Sequence, residues 1–347
     1  MLAPPWKAKV IGFPGLPPGS QTRRPMTTKI IFDTDPGIDD AMALLFIEAS
    51  PALDLVAVTT VFGNADIDTT TRNALYLKDR FGLTAPIFKG TDKPLTRPRN
   101  PSPTFVHGEN GLGDVELTGL VAAEPEAKPA YQAIIDIARA NPGEITLVAV
   151  GPLTNLALAL QADPEVATLL KGVVIMGGAF AVAGKPGNVT PVAEANIWND
   201  PEAADRVFTA PWHVTVIGLD VTTQVIMTPD FMEALEASAG PAGQFLNAIS
   251  KPYAAFYGGR DGIVGCCVHD AAAVAYVIDE SLFEVRRGSV RVVTEGIALG
   301  QTLQKVEGEL FGPSAWDDQP IHSAAIKVDA DRLLALYART MNGVVAG

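Results

Sequence analysis

The sequence predicts an α/β protein with a single domain, built on an open, mostly parallel, Rossmann-like sheet that is flanked by helices. Two observations lead to this prediction. From Lys29 onward, short runs rich in β-branched residues alternate with helical patterns of about 10–15 residues, as in βα units. The strand runs are almost continuously apolar, which is typical of parallel strands buried on both faces.

The elements follow one another from the first strand, "KIIFDT", and the first helix, "DDAMALLFIEAS", which Pro51 ends. The strand "LDLVAVTTV", the helix "TTTRNALYLKDRFG" and the short strand "APIFKG" come next. The remaining predicted elements are the helix "AYQAIIDIARAN", the strand "EITLVAV", the helix "GPLTNLALALQ", the strand "KGVVIMGG", the helix "DPEAADRVFTA" and the strand "WHVTVIGLD". Two long loops, roughly 90–116 and 179–196, interrupt this pattern, and loops of such length in a compact domain are usually functional.

The chain of 347 residues, 48% of them hydrophobic, can bury one large core, and no linker divides its middle. We therefore expect residues 26–347 to form one domain. Residues 1–25 are rich in Pro and Gly and lack a compact apolar stretch, which predicts a disordered extension rather than a signal peptide. Met26 is a plausible alternative start of translation.

The composition argues against several partners. The net charge is −13 and no block of Lys or Arg occurs, so neither a nucleic acid nor an anionic membrane is expected as a partner. No apolar run reaches the ~18 residues of a membrane span. Cys266 and Cys267 are adjacent and poorly placed to bridge each other, which fits small buried hydrophobes and a cytoplasmic location.

Four aspartates crowd the segment "FDTDPGIDD", directly after the first strand: Asp33, Asp35, Asp39 and Asp40. Helix capping could account for one or two of them. Uncompensated carboxylates this close would repel one another and raise each other's pKa. A hard cation such as Ca²⁺, which takes six to eight oxygen ligands, would neutralise them. The segment therefore predicts a metal site at the carboxyl end of this strand.

Two other kinds of acidic site can be compared with this segment. An EF-hand loop opening at Asp33 would need Glu at its twelfth position, where Leu44 stands. A phosphatase with an aspartyl nucleophile also has an Asp-x-Asp strand end, but it needs Lys or Arg to hold phosphate. The strand-end segments contain no obvious cation, so a metal-dependent phosphohydrolase is the weaker alternative.

Polar residues elsewhere in the chain could complete a site. His269 and Asp270 begin the helix "VHDAAAVAYVIDE", where Asp270 is either a helix cap or a further metal carboxylate, and His269 either a buried histidine or an acid. His107, in the Gly-rich loop "HGENGLG", is either a lid residue or an exposed loop histidine. Amides and carboxylates without cations suit a neutral polyol such as a sugar; those in question are Asn64, Asn188, Glu194 and Asn196.

Six segments, taken together, resemble the motifs of the inosine–uridine-type nucleoside hydrolases: "DTDPGIDDA", "AVTTVFGN", "GPLTNLALAL", "VVIMGGA", "GNVTPVAEANIWNDPEAA" and "VHDAAAVAYVID". The resemblance runs from about Lys29 to the C-terminal region. It implies the nucleoside hydrolase fold, one bound Ca²⁺, and hydrolysis of the N-glycosidic bond of ribonucleosides to free base and ribose, in nucleoside salvage. It also implies a homodimer or homotetramer.

The resemblance also implies roles for individual residues. Asp35, Asp40, Asp270 and the backbone carbonyl of Val150 would hold the metal, with Asp35 also the general base and Asp33 a supporting acid. His269 would protonate the leaving base. The residues expected to bind substrate are Asp39, Asn64, His107, Met176, Asn188, Glu194, Asn196 and Tyr257. The segment "GGRDGIVGCC" beside Tyr257 departs from the family pattern, so no nucleobase preference is implied. A non-catalytic nucleoside- or calcium-binding protein on the same scaffold is the alternative.

Overall fold

The computed structural model describes residues 27–119 and 121–343, so the expected extension 1–25 lies outside the described residues. The strands within these ranges are β1 (Thr28–Thr34), β2 (Leu53–Thr60), β3 (Ile87–Phe88), β4 (Ile145–Ala149), β5 (Gly172–Met176), β6 (Val214–Ile217), β7 (Ile226–Met227), β8 (Cys266–Cys267), β9 (Phe283–Val292), β10 (Thr302–Val306) and β11 (His322–Val328).

The helices, all in the same ranges, are α1 (Ile38–Ala49), α2 (Ile67–Phe81), α3 (Thr104–His107), α4 (Ala130–Ala140), α5 (Thr154–Ala162), α6 (Val166–Leu169), α7 (Ala195–Asn199), α8 (Pro201–Thr209), α9 (Leu219–Thr222), α10 (Pro229–Ser238), α11 (Gly240–Asp261), α12 (His269–Ile278) and α13 (Ala330–Met341). None of these helices is both long and apolar enough to cross a membrane.

Among the described residues, nine strands form one sheet in the order β10–β9–β11–β6–β5–β4–β1–β2–β3. Every neighbouring pair from β11 to β3 is parallel, whereas β9 pairs antiparallel with β10 and β11. The predicted α/β class with a mostly parallel sheet is therefore confirmed. The antiparallel edge and the long helix α11 were not predicted from the sequence.

The strand order reverses in the middle of the sheet. From β1 the chain moves outward through β2 and β3, then returns to β4 on the other side of β1. In open α/β sheets, ligands bind outside the carboxyl ends of the strands at such a point. Asp33 lies there, paired with Thr59 of β2 and Ala149 of β4. The aspartate segment is thus placed at the position where this fold forms sites.

Helices cover both faces of the sheet. Side chains alternate along β1, so Ile30 and Phe32 pack into one core while Ile31 packs into the other, and all three are fully buried. Helices α1, α11, α12 and α13 contribute to the first core, and α4, α5 and α8 to the second. The sheet is therefore a rigid support for groups at its carboxyl edge.

Local sequence signals set the bounds of the helices that follow β1 and β2. In α2, Asp66 accepts a hydrogen bond from the backbone nitrogen of Thr69 at 2.8 Å, and Gly82 ends the helix with a φ of 75°. In α1, the carboxylate of Asp40 reaches back to the backbone nitrogen of Gly37 at 2.8 Å. Asp40 therefore caps α1 while its side chain lies at the sheet edge.

Candidate active site

Asp33 is a fully buried acid at the end of β1. Its Oδ2 accepts hydrogen bonds from Thr59 Oγ1 at 2.6 Å and Asn155 Nδ2 at 2.8 Å. Its Oδ1 is buried, with no hydrogen-bond partner among the described residues. Burial raises the pKa of this carboxyl group to about 7.

Asp35 follows β1 and is enclosed by two glycines. Its Oδ2 accepts a hydrogen bond from the backbone nitrogen of Asn64 at 2.7 Å, while its buried Oδ1 has no partner in the described part of the chain. A Cβ atom on Gly63 would lie 2.0 Å from Oδ2, and one on Gly151 would lie 2.7 Å from Oδ1. Burial, and then the neighbouring charge of Asp40, raise the pKa of Asp35 well above its usual range. Only glycine at these positions leaves room for the carboxylate.

Asp40 has both carboxylate oxygens bonded. Oδ1 accepts from Thr34 Oγ1 at 2.5 Å and from the backbone nitrogen of Asp35 at 3.2 Å. Oδ2 accepts from Gly37 N at 2.8 Å and Asn64 Nδ2 at 2.9 Å. These bonds fix the orientation of the carboxylate, and burial nevertheless raises its pKa. Asp40 thus both caps α1 and presents a carboxylate of fixed orientation to the site.

Three buried carboxylates converge at this edge. Asp39, Asp40 and Asp270 each offer an oxygen, and these oxygens lie within 4.8 Å of one another. Burial and the charge of Asp40 raise the pKa of Asp39 to about 8, and burial with the neighbouring aspartates raises that of Asp270. The family resemblance implies Asp35 as the metal ligand beside Asp40 and Asp270, with Asp39 as a substrate-binding residue. The charge of Asp35 is also among those that raise the pKa of Asp270, after burial and the charges of Asp39 and Asp40.

A metal ion fits this arrangement. The available donors are all oxygens, which hard cations prefer. No Lys or Arg among the described residues forms an ion pair with these acids. The unpartnered Oδ1 of Asp35 leaves a further oxygen free at the same edge. The buried cluster of Asp39, Asp40 and Asp270 could therefore hold a metal.

The loop before α7 supplies polar groups beside the carboxylates. Glu194 caps α7, and its Oε2 accepts from Gly178 N at 2.9 Å. Asn196 Nδ2 donates to the carbonyl oxygens of Val150 at 2.7 Å and Met176 at 3.1 Å. Asn188 Oδ1 accepts from Ala195 N at 3.0 Å, which ties this loop to the start of α7. The three polar residues predicted from this loop are thus brought together with Val150 and Met176.

His269 and Tyr257 form a hydrogen-bonded pair in the same site. His269 Nε2 lies 2.6 Å from the Tyr257 hydroxyl oxygen, and Nδ1 lies 2.7 Å from Thr222 Oγ1. The Tyr257 hydroxyl is also 3.4 Å from that of Tyr253. Burial lowers the pKa of His269 to about 4, so the imidazole is neutral near pH 7.

His107 is not an exposed loop histidine, because only 5% of its surface is accessible. The backbone nitrogen of Ile38, the first residue of α1, donates to its Nδ1 at 3.2 Å. Its ring also lies 5.5 Å from that of Tyr253, centroid to centroid. Burial lowers the pKa of His107 to about 3. The imidazole therefore connects the Gly-rich loop to the start of α1.

A cavity of about 550 Å³ lies over these groups. The residues predicted from the sequence that line it are Asp39, Asn64, His107, Val150, Met176, Asn188, Glu194, Asn196, Tyr257, His269 and Asp270. The lining also contains residues that were not predicted: Phe105, Trp198, Tyr253, Phe256 and Arg260 among them. The sequence did contain a pattern that could have revealed Tyr253, Phe256 and Arg260. In "YAAFYGGR" they are spaced by three and four residues together with Tyr257, which places all four on one face of a helix.

Residues 30–335 match the family model described as inosine-uridine preferring nucleoside hydrolase. The chain belongs to this family. The resemblance found in the motifs is thereby confirmed, and the protein is a nucleoside hydrolase, an enzyme that cleaves the N-glycosidic bond of ribonucleosides.

Relatives of this nucleoside hydrolase match over most of their length. Uridine nucleosidase 1 of Arabidopsis thaliana is 40% identical over 308 residues, which cover 88% of this chain and 90% of that protein. An inosine-uridine preferring nucleoside hydrolase of Crithidia fasciculata is 40% identical over 282 residues, or 80% of this chain and 88% of that protein. The solved structure of a plant nucleoside hydrolase superposes with a TM-score of 0.87 at 39% identity, covering 91% of this chain and 99% of that one.

Proposed function

We propose that this nucleoside hydrolase depends on Ca²⁺ and releases the free base and ribose from purine and/or pyrimidine ribonucleosides, in nucleoside salvage. The observation that carries the proposal is the convergence of buried carboxylates, without a neutralising Lys or Arg ion pair among the described residues, beneath a cavity at the switch point of the sheet. A homodimer or homotetramer and a cytoplasmic location stay predictions.

Asp35, Asp40, Asp270 and the carbonyl oxygen of Val150 are the proposed metal ligands, and Asp39 is close enough to Asp40 and Asp270 to add an oxygen. A bound Ca²⁺ would supply the charge that offsets these carboxylates and would coordinate the water and the ribose diol. The carbonyl oxygen of Val150 already accepts from Asn196, but a carbonyl has two lone pairs.

Asp35 is the proposed general base. Its Oδ1 is buried and accepts no hydrogen bond from the described residues, so it is free to take a proton from the attacking water. The enclosing Gly63 and Gly151 limit movement of the carboxylate. Cleavage of the glycosidic bond leaves positive charge on the ribosyl group, which the neighbouring carboxylates stabilise.

The polar groups around the cavity suit the hydroxyls of ribose. Asp39 and Asn64 are proposed to bind the 2′-hydroxyl side, with Met176 beneath the sugar ring. The 3′- and 5′-hydroxyls are assigned to Asn188, Glu194 and Asn196. Because the side chains of Asn188, Glu194 and Asn196 already form hydrogen bonds with backbone groups, they are oriented before the substrate arrives.

His269 is the proposed source of the proton for the leaving base; its imidazole, neutral near pH 7 in the empty site, must first bind a proton, which the negative charge of the departing base favours. Both of its ring nitrogens are bonded to protein groups, so we assign the final transfer to the hydroxyl group of Tyr257. Uridine and inosine appear in the names of the relatives from Arabidopsis thaliana and Crithidia fasciculata. Both are the first substrates to test.

The decisive assay incubates the purified protein with inosine, uridine, adenosine, cytidine and p-nitrophenyl phosphate, with Ca²⁺ or with the chelator EGTA. Free base is measured by chromatography and phosphate by colorimetry. We expect base release that EGTA abolishes and Ca²⁺ restores. Calorimetric titration of the metal-free protein with Ca²⁺ gives a readout independent of turnover. Base release that persists in EGTA would contradict the metal dependence, and phosphate release would favour the phosphohydrolase.

A further inference from the structure

One face of α11 lines the cavity with aromatic groups and a cation. Tyr253, Phe256, Tyr257 and Arg260 are spaced by three and four residues, which places their side chains along one side of the helix. Phe105 of α3 lies opposite, with its ring centroid 6.0 Å from that of Phe256. The carboxylates and amides come instead from strand ends, α7 and the first turn of α12. A flat heterocycle therefore fits the α11 side of the cavity, and the sugar fits the other.

Arg260 is the one Lys or Arg among the described residues that line this cavity. Its guanidinium carbon lies 4.6 Å from the ring centroid of Phe256 and 5.4 Å from that of Tyr257. Its Nε and Nη2 donate to Oδ2 of Asp261 at 3.0 and 2.8 Å. The other carboxylate oxygen of Asp261 accepts from Lys185. The side chain is thus stacked and anchored at the cavity mouth.

The Nη1 group of Arg260 has no hydrogen-bond acceptor among the described residues, although Nε and Nη2 both have one. The Arg260 side chain is 34% exposed, so Nη1 forms hydrogen bonds with water until a ligand displaces that water. A fixed guanidinium with a free donor beside an aromatic surface is suited to an oxygen on the rim of a planar ring.

We propose that Nη1 of Arg260 donates a charge-assisted hydrogen bond to a carbonyl oxygen of the nucleobase, and so favours bases that carry one over adenine. The inference rests on the proposed hydrolase function and names a specificity residue for it.

In the reaction the C1′–N bond breaks and both electrons go to the base, while the water oxygen bonds to C1′ and a water proton passes to Asp35. The base then holds excess negative charge, shared with its carbonyl oxygen, until a proton reaches it. A cation on that oxygen stabilises the departing base.

The test compares Arg260→Met and Arg260→Lys with the wild type on uridine, inosine, adenosine and p-nitrophenyl riboside. For Arg260→Met, we expect kcat/KM to fall about 10- to 100-fold on uridine and inosine, because one charged donor is lost at a partly exposed position. Adenosine and the nitrophenyl riboside should change less than about threefold. Arg260→Lys should recover part of the lost kcat/KM, since lysine keeps the positive charge but lacks the planar guanidinium group.

Arg80→Met is the matched control, because Arg80 lies 5.5 Å over the ring of Phe81 on α2 and does not line the cavity. Binding of free uracil and of adenine is measured by calorimetry as well, and weaker uracil binding alone is expected in Arg260→Met. If circular dichroism shows that Arg260→Met does not fold, Arg260→Gln takes its place.

Equal losses of kcat/KM on uridine and adenosine, or no loss on uridine, would overturn the inference. A wild type that cleaves the nitrophenyl riboside but no nucleoside would overturn the proposed substrate class, and one that cleaves neither would overturn the hydrolase function itself.

Discussion

The hydroxyl oxygen of Tyr257 lies 2.6 Å from Nε2 of His269, whose Nδ1 lies 2.7 Å from Oγ1 of Thr222. Both nitrogens of the imidazole are therefore occupied by protein groups. Tyr257 and His269 both line the cavity. Of the two, Tyr257 has the group that can exchange a proton with His269 and with a bound nucleobase. Proton donation to the nucleobase by this route therefore requires both Tyr257 and His269.

Tyr257→Phe should lower kcat/KM on inosine, uridine and adenosine alike, by about 10²-fold, because the variant cannot pass a proton to the base. The nitrophenolate of p-nitrophenyl riboside leaves without a proton, so that substrate should lose less than about threefold. Steady-state kinetics check both values. Tyr276→Phe, on α12 and outside the cavity, is the control. Equal losses on nucleosides and nitrophenyl riboside would argue against proton transfer through Tyr257.

Asp35→Asn should reduce kcat on every substrate, including p-nitrophenyl riboside, by about 10³-fold or more. The amide has nearly the same shape as the carboxylate but cannot accept the proton of the attacking water. The fold should persist, which thermal unfolding checks. Asp54→Asn, at an exposed position of β2, should leave kcat unchanged. Wild-type turnover in Asp35→Asn would rule out the general-base assignment.

The acidic segment and the parallel sheet were predictable because both depend on local patterns. Apolar strand runs predict burial on both faces, and strand-end residues of parallel strands share one edge. Which acids of the segment lie beside Asp270 is not a local property, since it depends on how α1 docks, and the structure brings Asp39 and Asp40 there. Strand β9, which lies between β10 and β11, was missed because "FEVRRGSVRV" carries charges at positions that its partners shield only in part.

Calcium should stabilise the folded protein as well as activate it. Neutralising the buried carboxylates favours the native state, and a ligand present at about 1,000 times its Kd adds about 4 kcal/mol. The Tm in Ca²⁺ should therefore exceed the Tm in EGTA by several degrees. Asp270→Asn should lose most of this difference. Thermal unfolding by circular dichroism measures it, with Na⁺ at equal ionic strength as the control. An unchanged Tm in the wild type would contradict the metal site.

Acid should destabilise the fold partly through His107. Burial lowers its pKa to about 3, whereas the unfolded chain titrates near its ordinary value of 6.5. Between these values the unfolded state binds a proton that the native state does not, so stability falls as the pH falls from about 6.5 toward 3.

His107→Gln removes this proton uptake and keeps an acceptor for the backbone nitrogen of Ile38. From pH 7 to 4.5, its unfolding free energy should decline less than that of the wild type, by on the order of 2 kcal/mol. Urea unfolding at both values measures the difference. His213→Gln, at an exposed position, is the matched control and should behave as the wild type. Parallel decline in His107→Gln and wild type would show that His107 titrates normally.

Gly151→Ala should damage activity more than stability. The new Cβ would lie 2.7 Å from Asp35 Oδ1 and 2.8 Å from Val61 Cγ1, closer than such atoms approach, so one neighbour must move. Val61 is fully buried in the close-packed interior, whereas Oδ1 of Asp35, although also buried, is held by no hydrogen bond from the described residues. The carboxylate is therefore the group expected to shift, and misplacing a reacting group by about 1 Å can cost 10²-fold in rate.

For Gly151→Ala, we expect kcat to fall about 10²-fold and Tm to fall by a few degrees. Gly312→Ala is the control and should change neither value, because its new Cβ would meet no atom of the described residues within 4 Å. A large loss of Tm with little loss of kcat per folded molecule would instead place the strain on Val61 and the sheet.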